Sequence, residues 1–345
     1  LETRGLAKSF GGLRAVDVLI AAYNEEAVIE ATIRSVLASR AVDVRVIVVD
    51  DGSTDRTAEV AANIFGAEPR VLVLQKPNGG KASALNLALA HARSEIVVGI
   101  DADTQSAPEA LAALVWHFDD PTIAAVAGNV RVGNRANIIT RWQAIEYITS
   151  QNIDRRALTR VNAITVVPGA IGAWRADAIR AVGGYSPDTL AEDMDLTWRL
   201  RRRGWRITNE PSAIAFTEAP STLKALMRQR FRWTFGTLQC LWKHRDAVLH
   251  YGWFGGFALP SLWLFQIALQ VLAPLVDFQL LFALAGRTLG WLESLQHADI
   301  APPYDPAIWL ICGIYVAFVA LELAAASVAI ALDEEDKRLL WLQPL

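Results

Sequence analysis

Between residues 15 and 217, short runs rich in valine and isoleucine alternate with helical patterns. Nearly continuous apolar strands separated by helices are typical of a parallel sheet that is covered on both faces and joined by right-handed crossovers. The pattern predicts strands at 16–22, 44–50, 70–75 and 95–100, and helices at 25–38, 54–65 and 81–92. We therefore expect an α/β fold with a Rossmann-like, mixed and mostly parallel sheet flanked by helices.

Aspartates follow two of the predicted strands at the point where each strand ends. Asp50 and Asp51 end the second strand, and Asp101 and Asp103 follow the fourth as Asp-Ala-Asp. Parallel sheets bind their ligands at the carboxyl ends of the strands. Two carboxylates so placed are hard oxygen ligands for Mg²⁺ or Mn²⁺, and such a cation would bridge a diphosphate. The alternative is a loop with two solvated aspartates.

A glycine-containing turn, Lys-Pro-Asn-Gly-Gly-Lys at 76–81, opens the third predicted helix. Its backbone N–H groups and the Lys81 ammonium suit a phosphate, although a plain glycine turn explains the same residues. The Asp51 carboxylate at the second strand end can accept from the imide N–H of a uracil. Helix capping is the competing interpretation there, and it suits Ser53 and Thr54 better.

An acidic pair, Glu192 and Asp193, starts another predicted helix. Carboxylates at a helix start complement the helix dipole, so capping explains one of the two. A carboxylate near an apolar pocket can also take the proton from a sugar hydroxyl that acts as a nucleophile. Asp193 is the predicted general base, and Glu192 is predicted to orient the acceptor or the base.

Apolar residues recur at helical spacing from 221 to 250, with lysines and arginines between them. This pattern predicts either an amphipathic helix at a membrane interface or one packed on the soluble domain. Gln229, Arg232 and Trp233 share one face of that helix by their spacing. Trp233 can stack on a sugar ring, and the other two can hydrogen-bond hydroxyls or a diphosphate.

The apolar fraction of 53% and the mean hydropathy of +0.26 reflect an excess of apolar residues after Trp253. Segments 253–285 and 307–332 each carry one charge, Asp277 and Glu322. Both are long enough to cross a membrane, which takes about 20 residues. Pro260 and Pro274 make the first segment one kinked span or a broken pair, so we expect two to three spans.

The formal net charge of −3 gives no general basic field, so nucleic acid is not an expected partner. Basic residues concentrate instead at 199–206 and 224–245, just before the apolar segments, which favours a cytoplasmic catalytic domain. Neither the two cysteines nor the five histidines have the spacing of a disulfide framework or a zinc site.

Together, five motifs resemble the processive family 2 glycosyltransferases with the GT-A fold: Ala22-Tyr-Asn-Glu-Glu26, the Asp-Asp-Gly-Ser-Thr-Asp run at 50–55, Asp101-Ala-Asp103, Glu192-Asp193 and Gln229-x-x-Arg232-Trp233. Further runs at 167–170, 183–185 and 217–220 look most like poly-β-1,6-N-acetylglucosamine synthases. Chitin-oligosaccharide, hyaluronan and cellulose synthases are related. The chain departs from the family pattern at Ala22, where the family commonly has proline, and at Ala191, where threonine often precedes the acidic pair.

The resemblance implies that a UDP-sugar, most of all UDP-N-acetylglucosamine, is polymerised with inversion into a β-linked chain that is exported across the membrane. It implies nucleotide contacts for Tyr23, Glu25, Asp50, Asp51, Lys81 and Asp101, with a Mg²⁺ or Mn²⁺ ion at Asp101 and Asp103. Asp193 would be the general base beside Glu192. Gln229, Arg232 and Trp233 would contact the acceptor.

The predicted organisation is a cytoplasmic catalytic domain at 1–220, an interfacial region at 221–252 and a membrane region at 253–345, in a multi-pass protein of the inner (plasma) membrane. Predicted partners are the UDP-sugar, the growing polysaccharide, membrane lipid and a small membrane accessory subunit. Alternatives are a synthase using another UDP-sugar, a non-processive enzyme acting on a lipid-linked acceptor, and an inactive nucleotide-sugar-binding subunit. The chain starts without methionine, and we expect it to be a fragment.

Overall fold

The computed structural model describes residues 13–296, 306–333 and 335–342 of the 345-residue chain. The chain divides into two compact units, the first ending at Leu259 and the second beginning at Pro260. Every strand that the structure describes belongs to the first unit, and the described elements of the second are helical.

One eight-stranded sheet organises the first unit, in the order β3-β2-β1-β4-β7-β6-β8-β5. Strands β1 to β4 are joined in parallel pairs, as are β6 and β8, whereas β7 is antiparallel to both neighbours and β5 is antiparallel to β8. The sheet is thus mixed and mostly parallel, as predicted. The strands are β1 Arg14–Ala22, β2 Val42–Asp50, β3 Val71–Gln75, β4 Ile96–Gly99, β5 Thr104–Ser106, β6 Ile123–Val132, β7 Gly172–Arg175 and β8 Arg206–Thr217.

Both faces of the sheet are buried, which explains the nearly continuous apolar strands. Side chains alternate between the faces along β1: Val18 and Ile20 join one apolar cluster, and Leu19 joins the other. Strand β2 alternates in the same way, so Val48 and Ile47 lie on opposite faces.

In the described part of the first unit, nine α-helices surround or follow this sheet, and a π-helical turn at Tyr147–Asn152 connects the fifth to the sixth. The predicted helix at 25–38 begins later than expected because residues 23–28 form a turn in which Asn24 has φ 58°. The helices are α1 Ile29–Leu37, α2 Thr57–Phe65, α3 Lys81–His91, α4 Ala110–Trp116, α5 Ile138–Glu146, α6 Ile153–Arg160, α7 Ala176–Ala181, α8 Glu192–Arg202 and α9 Leu223–Lys243.

Helix α9 combines the two arrangements that the sequence left open. Its buried side includes Leu226 and Leu241, which pack within the first unit. A stripe at spacing i, i+4 is exposed on another side, namely Leu223, Met227, Phe231 and Phe235. The helix is therefore packed on the first unit and still presents an apolar surface.

The apolar segments after Trp253 form long helices. Helical turns run from Phe254 through a short helix, α10 Leu259–Ser261, into α11 Leu269–Gln296, and α12 spans Pro306–Leu332. Two helical runs, Phe254–Leu295 and Trp309–Leu332, are long and apolar enough to cross a membrane. Helix α11 continues through Pro274, so that proline does not divide it. The number of spans, their orientation and the three-part domain division stay predictions.

Because β1, β2 and β4 run parallel, their carboxyl ends lie at the same edge of the sheet. In register, Ala22 lies beside Asp50, and Leu19 lies beside Gly99. This edge therefore collects the segments that follow the three strands, at 23–25, 50–51 and 101–103, and it is where the predicted nucleotide and metal residues meet.

Candidate active site

Lys81 lies at the centre of the charged cluster at this edge. It opens α3 directly after Gly80, whose φ of 84° is easily adopted only by glycine. Its Nζ lies 2.6 Å from Asp101 Oδ1 and 3.0 Å from Glu192 Oε1. Burial disfavours the charged ammonium, but Asp101, Glu192 and Asp193 outweigh that effect and raise the pKa of Lys81 well above its usual value. The lysine thus connects the fourth strand end with the start of α8.

Asp193 lies beside this pair and is held by backbone donors. The Gly169 N–H donates to its Oδ2 at 3.1 Å, and the Met194 N–H donates to its Oδ1 at 2.8 Å. Burial, with the negative charge of Glu192, raises the pKa of Asp193 to about 6. A carboxyl group with this pKa is ionised at neutral pH and remains basic enough to accept a proton.

A small cleft brings two of the predicted donor residues together with the predicted base. Lys81, Asp101, Glu192 and Asp193 line it, together with the backbone at Gly169. At Gly169 the approach is so close that a Cβ would lie 2.8 Å from Lys81 Nζ and 3.3 Å from Asp101 Oδ1. Gly169 lies in the run at 167–170 that resembles the family, but its role depends on contacts with Lys81 and Asp101 that no local pattern in the sequence reports.

The two aspartates of the Asp-Ala-Asp motif fit a divalent cation that also binds substrate phosphates. The Oδ1 of Asp103 accepts hydrogen bonds from the hydroxyls of Thr104 and Thr217, at 3.1 and 3.3 Å. Burial and the negative charge of Asp101 raise the pKa of Asp103 to about 6, and a cation would relieve that repulsion. Among the residues that the structure describes, no set of three or more His, Cys, Asp or Glu side chains could hold a metal. The two carboxylates of Asp101 and Asp103 suit Mg²⁺ or Mn²⁺, because such an ion needs only one or two carboxylates beside phosphate and water ligands.

Glu25 faces the same motif from the end of β1. Burial raises its pKa to about 7, and the negative charges of Asp103, Asp101 and Glu218 add to that effect. Its own backbone N–H donates to Thr57 Oγ1 at 2.7 Å, which fixes the turn after the strand. Glu218, which follows β8, is a further acidic group near Glu25, and no local pattern in the sequence indicates this proximity.

The two aspartates at the end of β2 are buried, and they differ in their contacts. Asp51 accepts from Lys76 Nζ at 2.5 Å and from the N–H groups of Gly79 and Gly80 at 3.0 and 2.7 Å. It therefore holds the loop that positions Lys81. Asp50 Oδ2 accepts from the Ser53 N–H at 3.3 Å, whereas its Oδ1 is buried without a partner in the described part of the chain. Tyr23, nearby in sequence after β1, is 48% exposed.

The predicted acceptor residues on α9 do not share one environment. Arg232 is exposed, whereas Gln229 and Trp233 are half-buried. The Trp233 ring lies 6.2 Å from the Tyr147 ring, and the Arg230 guanidinium lies 4.5 Å from the Trp233 centroid. Arg230 in turn donates to Glu146 Oε2 at 2.5 Å. Sequence spacing found the helix face but could not show this distant aromatic and ionic support from α5 and the turn after it.

The family model described as "Glycosyltransferase like family 2" matches residues 14–236. The chain belongs to this family. The match covers the sheet, the cleft and the first part of α9, and it confirms the predicted membership of family 2 of the glycosyltransferases.

Curated relatives and a solved structure agree with this membership. Poly-β-1,6-N-acetyl-D-glucosamine synthase of Staphylococcus aureus (strain COL) is 35% identical over 225 residues, which are 65% of this chain and 55% of that protein. The Staphylococcus epidermidis synthase is 31% identical over the same extent, so the aligned part spans about half the length of these relatives.

The mannosyltransferase PcManGT from Pyrobaculum calidifontis, solved with GDP-Man and Mn²⁺, aligns with a TM-score of 0.62 and 23% identity over 95% of this chain and 89% of its own. That likeness confirms the predicted GT-A fold.

We predict that Gly169→Ala separates Lys81 from Asp101 and lowers glycosyl transfer about 10- to 100-fold, the scale expected when reacting groups shift by about 1 Å. The added methyl group would lie 2.8 Å from Lys81 Nζ, and that flexible side chain can move without unfolding the domain. Transfer rate and thermal stability would be measured together. Gly256→Ala, which adds a methyl group to open space, is the matched control. Wild-type transfer by Gly169→Ala would contradict the geometry described.

Proposed function

We propose that this chain is the catalytic part of an inverting, processive membrane glycosyltransferase that polymerises UDP-N-acetylglucosamine into a β-linked polysaccharide and exports it. The observation that carries the proposal is the position of Asp193 in one cleft with Lys81 and Asp101. The similarity to poly-β-1,6-N-acetyl-D-glucosamine synthases supports the choice of sugar.

In this proposal the donor diphosphate lies beside Lys81 and Asp101. The residues assigned to the nucleotide are Tyr23, Glu25, Asp50 and Asp51. Asp51 acts indirectly, because its carboxylate holds the loop before α3. A Mg²⁺ or Mn²⁺ ion bound by Asp101 and Asp103 would neutralise charge on the departing diphosphate. The Lys81 ammonium contributes positive charge to the same region from a fixed helix start.

Asp193 accepts the proton of the acceptor hydroxyl as its oxygen attacks the anomeric carbon. The new C–O bond forms on the face opposite the bond to UDP, which breaks with both electrons leaving on the diphosphate, so the configuration inverts. The Gly169 and Met194 N–H groups keep the Asp193 carboxylate oriented during this step. Glu192, paired with Lys81, holds the helix start in place.

We assign the binding of the acceptor sugar to α9. The half-buried Trp233 ring, supported by Tyr147, offers an aromatic face for a sugar ring. Gln229 presents a buried Oε1 without a partner among the described residues, and Arg232 presents exposed donors. An enzyme that retains its product between transfers needs such contacts to the growing chain.

We assign the exposed stripe of α9 to the lipid surface of the inner membrane. Leu223, Met227 and Phe231 are each more than 60% exposed, and exposed cations such as Arg228 lie on the same helix. Apolar residues with flanking cations suit an anionic interface. The two long apolar helices that follow support a multi-pass membrane anchor. We place the catalytic unit in the cytoplasm because basic residues precede these helices, and a small accessory subunit is part of the proposal.

Incorporation of labelled sugar by membranes carrying the protein tests this function. UDP-N-acetylglucosamine with Mg²⁺ or Mn²⁺ is expected to give a long labelled polymer, and UDP-glucose and UDP-glucuronate are the comparison donors. Polymer from UDP-glucose would instead identify a glucan synthase. A single sugar on lipid would contradict processivity, and no incorporation from any donor would favour an inactive subunit.

Transfer is expected to fall about tenfold for each pH unit below about 6, because a general base acts only when ionised. Transfer falls toward acid because the pKa of Asp193 is raised to about 6, so its carboxylate becomes protonated below about that pH. Asp103 and Glu25 have raised pKa values in the same region, so UDP binding must be measured at each pH to separate donor binding from proton transfer. Transfer that stays constant down to pH 5 would contradict the assignment of the base.

A further inference from the structure

The second half of α9 touches the segment that leads into the acidic pair. A Cβ at Gly236 would lie 2.9 Å from Ala191 Cβ and 3.0 Å from the Ala191 backbone nitrogen. Three residues on, Gln239 Oε1 accepts from the Leu190 N–H at 2.8 Å. The residues directly before Glu192 therefore rest on α9 without room for another methyl group.

Lys243 and His244 extend this contact to both sides of the acidic pair. Lys243 Nζ lies 2.8 Å from Asp188 Oδ1 and 2.8 Å from Asp195 Oδ1. His244 Nε2 lies 2.8 Å from the same Asp195 oxygen. Asp188 precedes the pair and Asp195 follows it. Ion pairs from the C-terminal end of α9 therefore hold the chain both before and after Glu192 and Asp193.

Asp195 is fully buried and strongly held. Burial acts to raise its pKa, but hydrogen bonds from His244 and Lys243 and the charge of Arg199 outweigh it and hold the pKa far below its usual range. Arg199 Nε, which lies 2.7 Å from Asp195 Oδ2, comes from α8 itself, whereas Lys243 is the last residue of α9 and His244 directly follows it. A buried carboxylate shared in this way fixes two helices relative to each other.

The residues in these contacts occupy positions 236, 239, 243 and 244. The first three lie on one face of α9, at a spacing of i, i+3 and i+7, and His244 directly follows the last residue of the helix. We call these four residues, Gly236, Gln239, Lys243 and His244, the α9 platform. The first half of the same helix carries Gln229, Arg232 and Trp233. One rigid element thus joins the proposed acceptor residues to the acidic pair.

We propose that the α9 platform is a positioning device that sets the distance between Asp193 and the acceptor hydroxyl. Its residues are positioning residues: none lines the cleft, and they act through the backbone at 188–195. This inference rests on the proposed function, because the acceptor residues belong to it. Its expected signature is a loss of transfer to the acceptor that leaves donor binding intact and diverts the donor to water.

Gly236→Ala is the sharpest test. Alanine has a higher helix propensity than glycine, so the helix itself is not weakened, but the added methyl group collides with Ala191. We expect transfer to fall about tenfold or more, UDP affinity to stay unchanged, and the ratio of donor hydrolysis to transfer to rise. Gly256→Ala is the matched control and should behave as wild type. Equal loss of hydrolysis and transfer, or no loss of either, would overturn the proposal.

Lys243→Met provides a second test if Gly236→Ala does not fold. It removes the contacts to Asp188 and Asp195, whereas Lys224→Met removes an exposed lysine from the first turn of the same helix. We expect only Lys243→Met to raise the ratio of hydrolysis to transfer. Identical ratios in the two variants would contradict the platform.

Hydrogen exchange at residues 188–196 separates this inference from the proposed function. Faster exchange is expected in Lys243→Met and wild-type exchange in Lys224→Met, whichever sugar the enzyme uses. A wild-type protein that transfers no sugar would count against the proposed function alone. Unchanged exchange in Lys243→Met would count against the platform alone.

Discussion

The rest of the site depends on the ion pairs that the Lys81 ammonium group forms with Asp101 and Glu192. This ammonium group joins the start of α3, the end of β4 and the start of α8, three elements that are far apart in sequence. Burial, together with the negative charge of a neighbouring carboxylate, raises the pKa values of Asp103 and Asp193, and the positive charge of Lys81 acts against that rise. The turn fixed by Asp51 places the lysine, and Gly169 leaves room for it.

Helix α9 has three surfaces with different chemistry. One side faces outward with an apolar stripe, the first half carries the proposed acceptor residues, and the second half supports the acidic pair. The sequence predicted the first two because they follow from periodicity and from a recognisable motif. The third depends on contacts between residues about 45 to 55 positions apart, such as Lys243 with Asp188, and no local pattern reports such a contact.

The parallel half of the sheet was predictable because its strands are buried on both faces and their apolar runs are unmistakable. Strands β1 to β4 lie within two residues of their predicted bounds. The aspartates at the strand ends were predictable for the same reason, since topology places those ends together. Partners such as Tyr147 and Glu146 were not predictable: they support Trp233 and Arg230 from another helix, and tertiary packing alone decides that choice.

Glycosyl transfer by Asp193→Asn is the most direct test of the central claim that Asp193 takes the acceptor proton. Asparagine keeps the size of the side chain and cannot accept that proton as a carboxylate does. Transfer is expected to fall at least about 100-fold, the scale of general-base catalysis, while UDP binding stays at its wild-type affinity. Transfer at the wild-type rate, or loss of UDP binding along with transfer, would contradict the role assigned to Asp193.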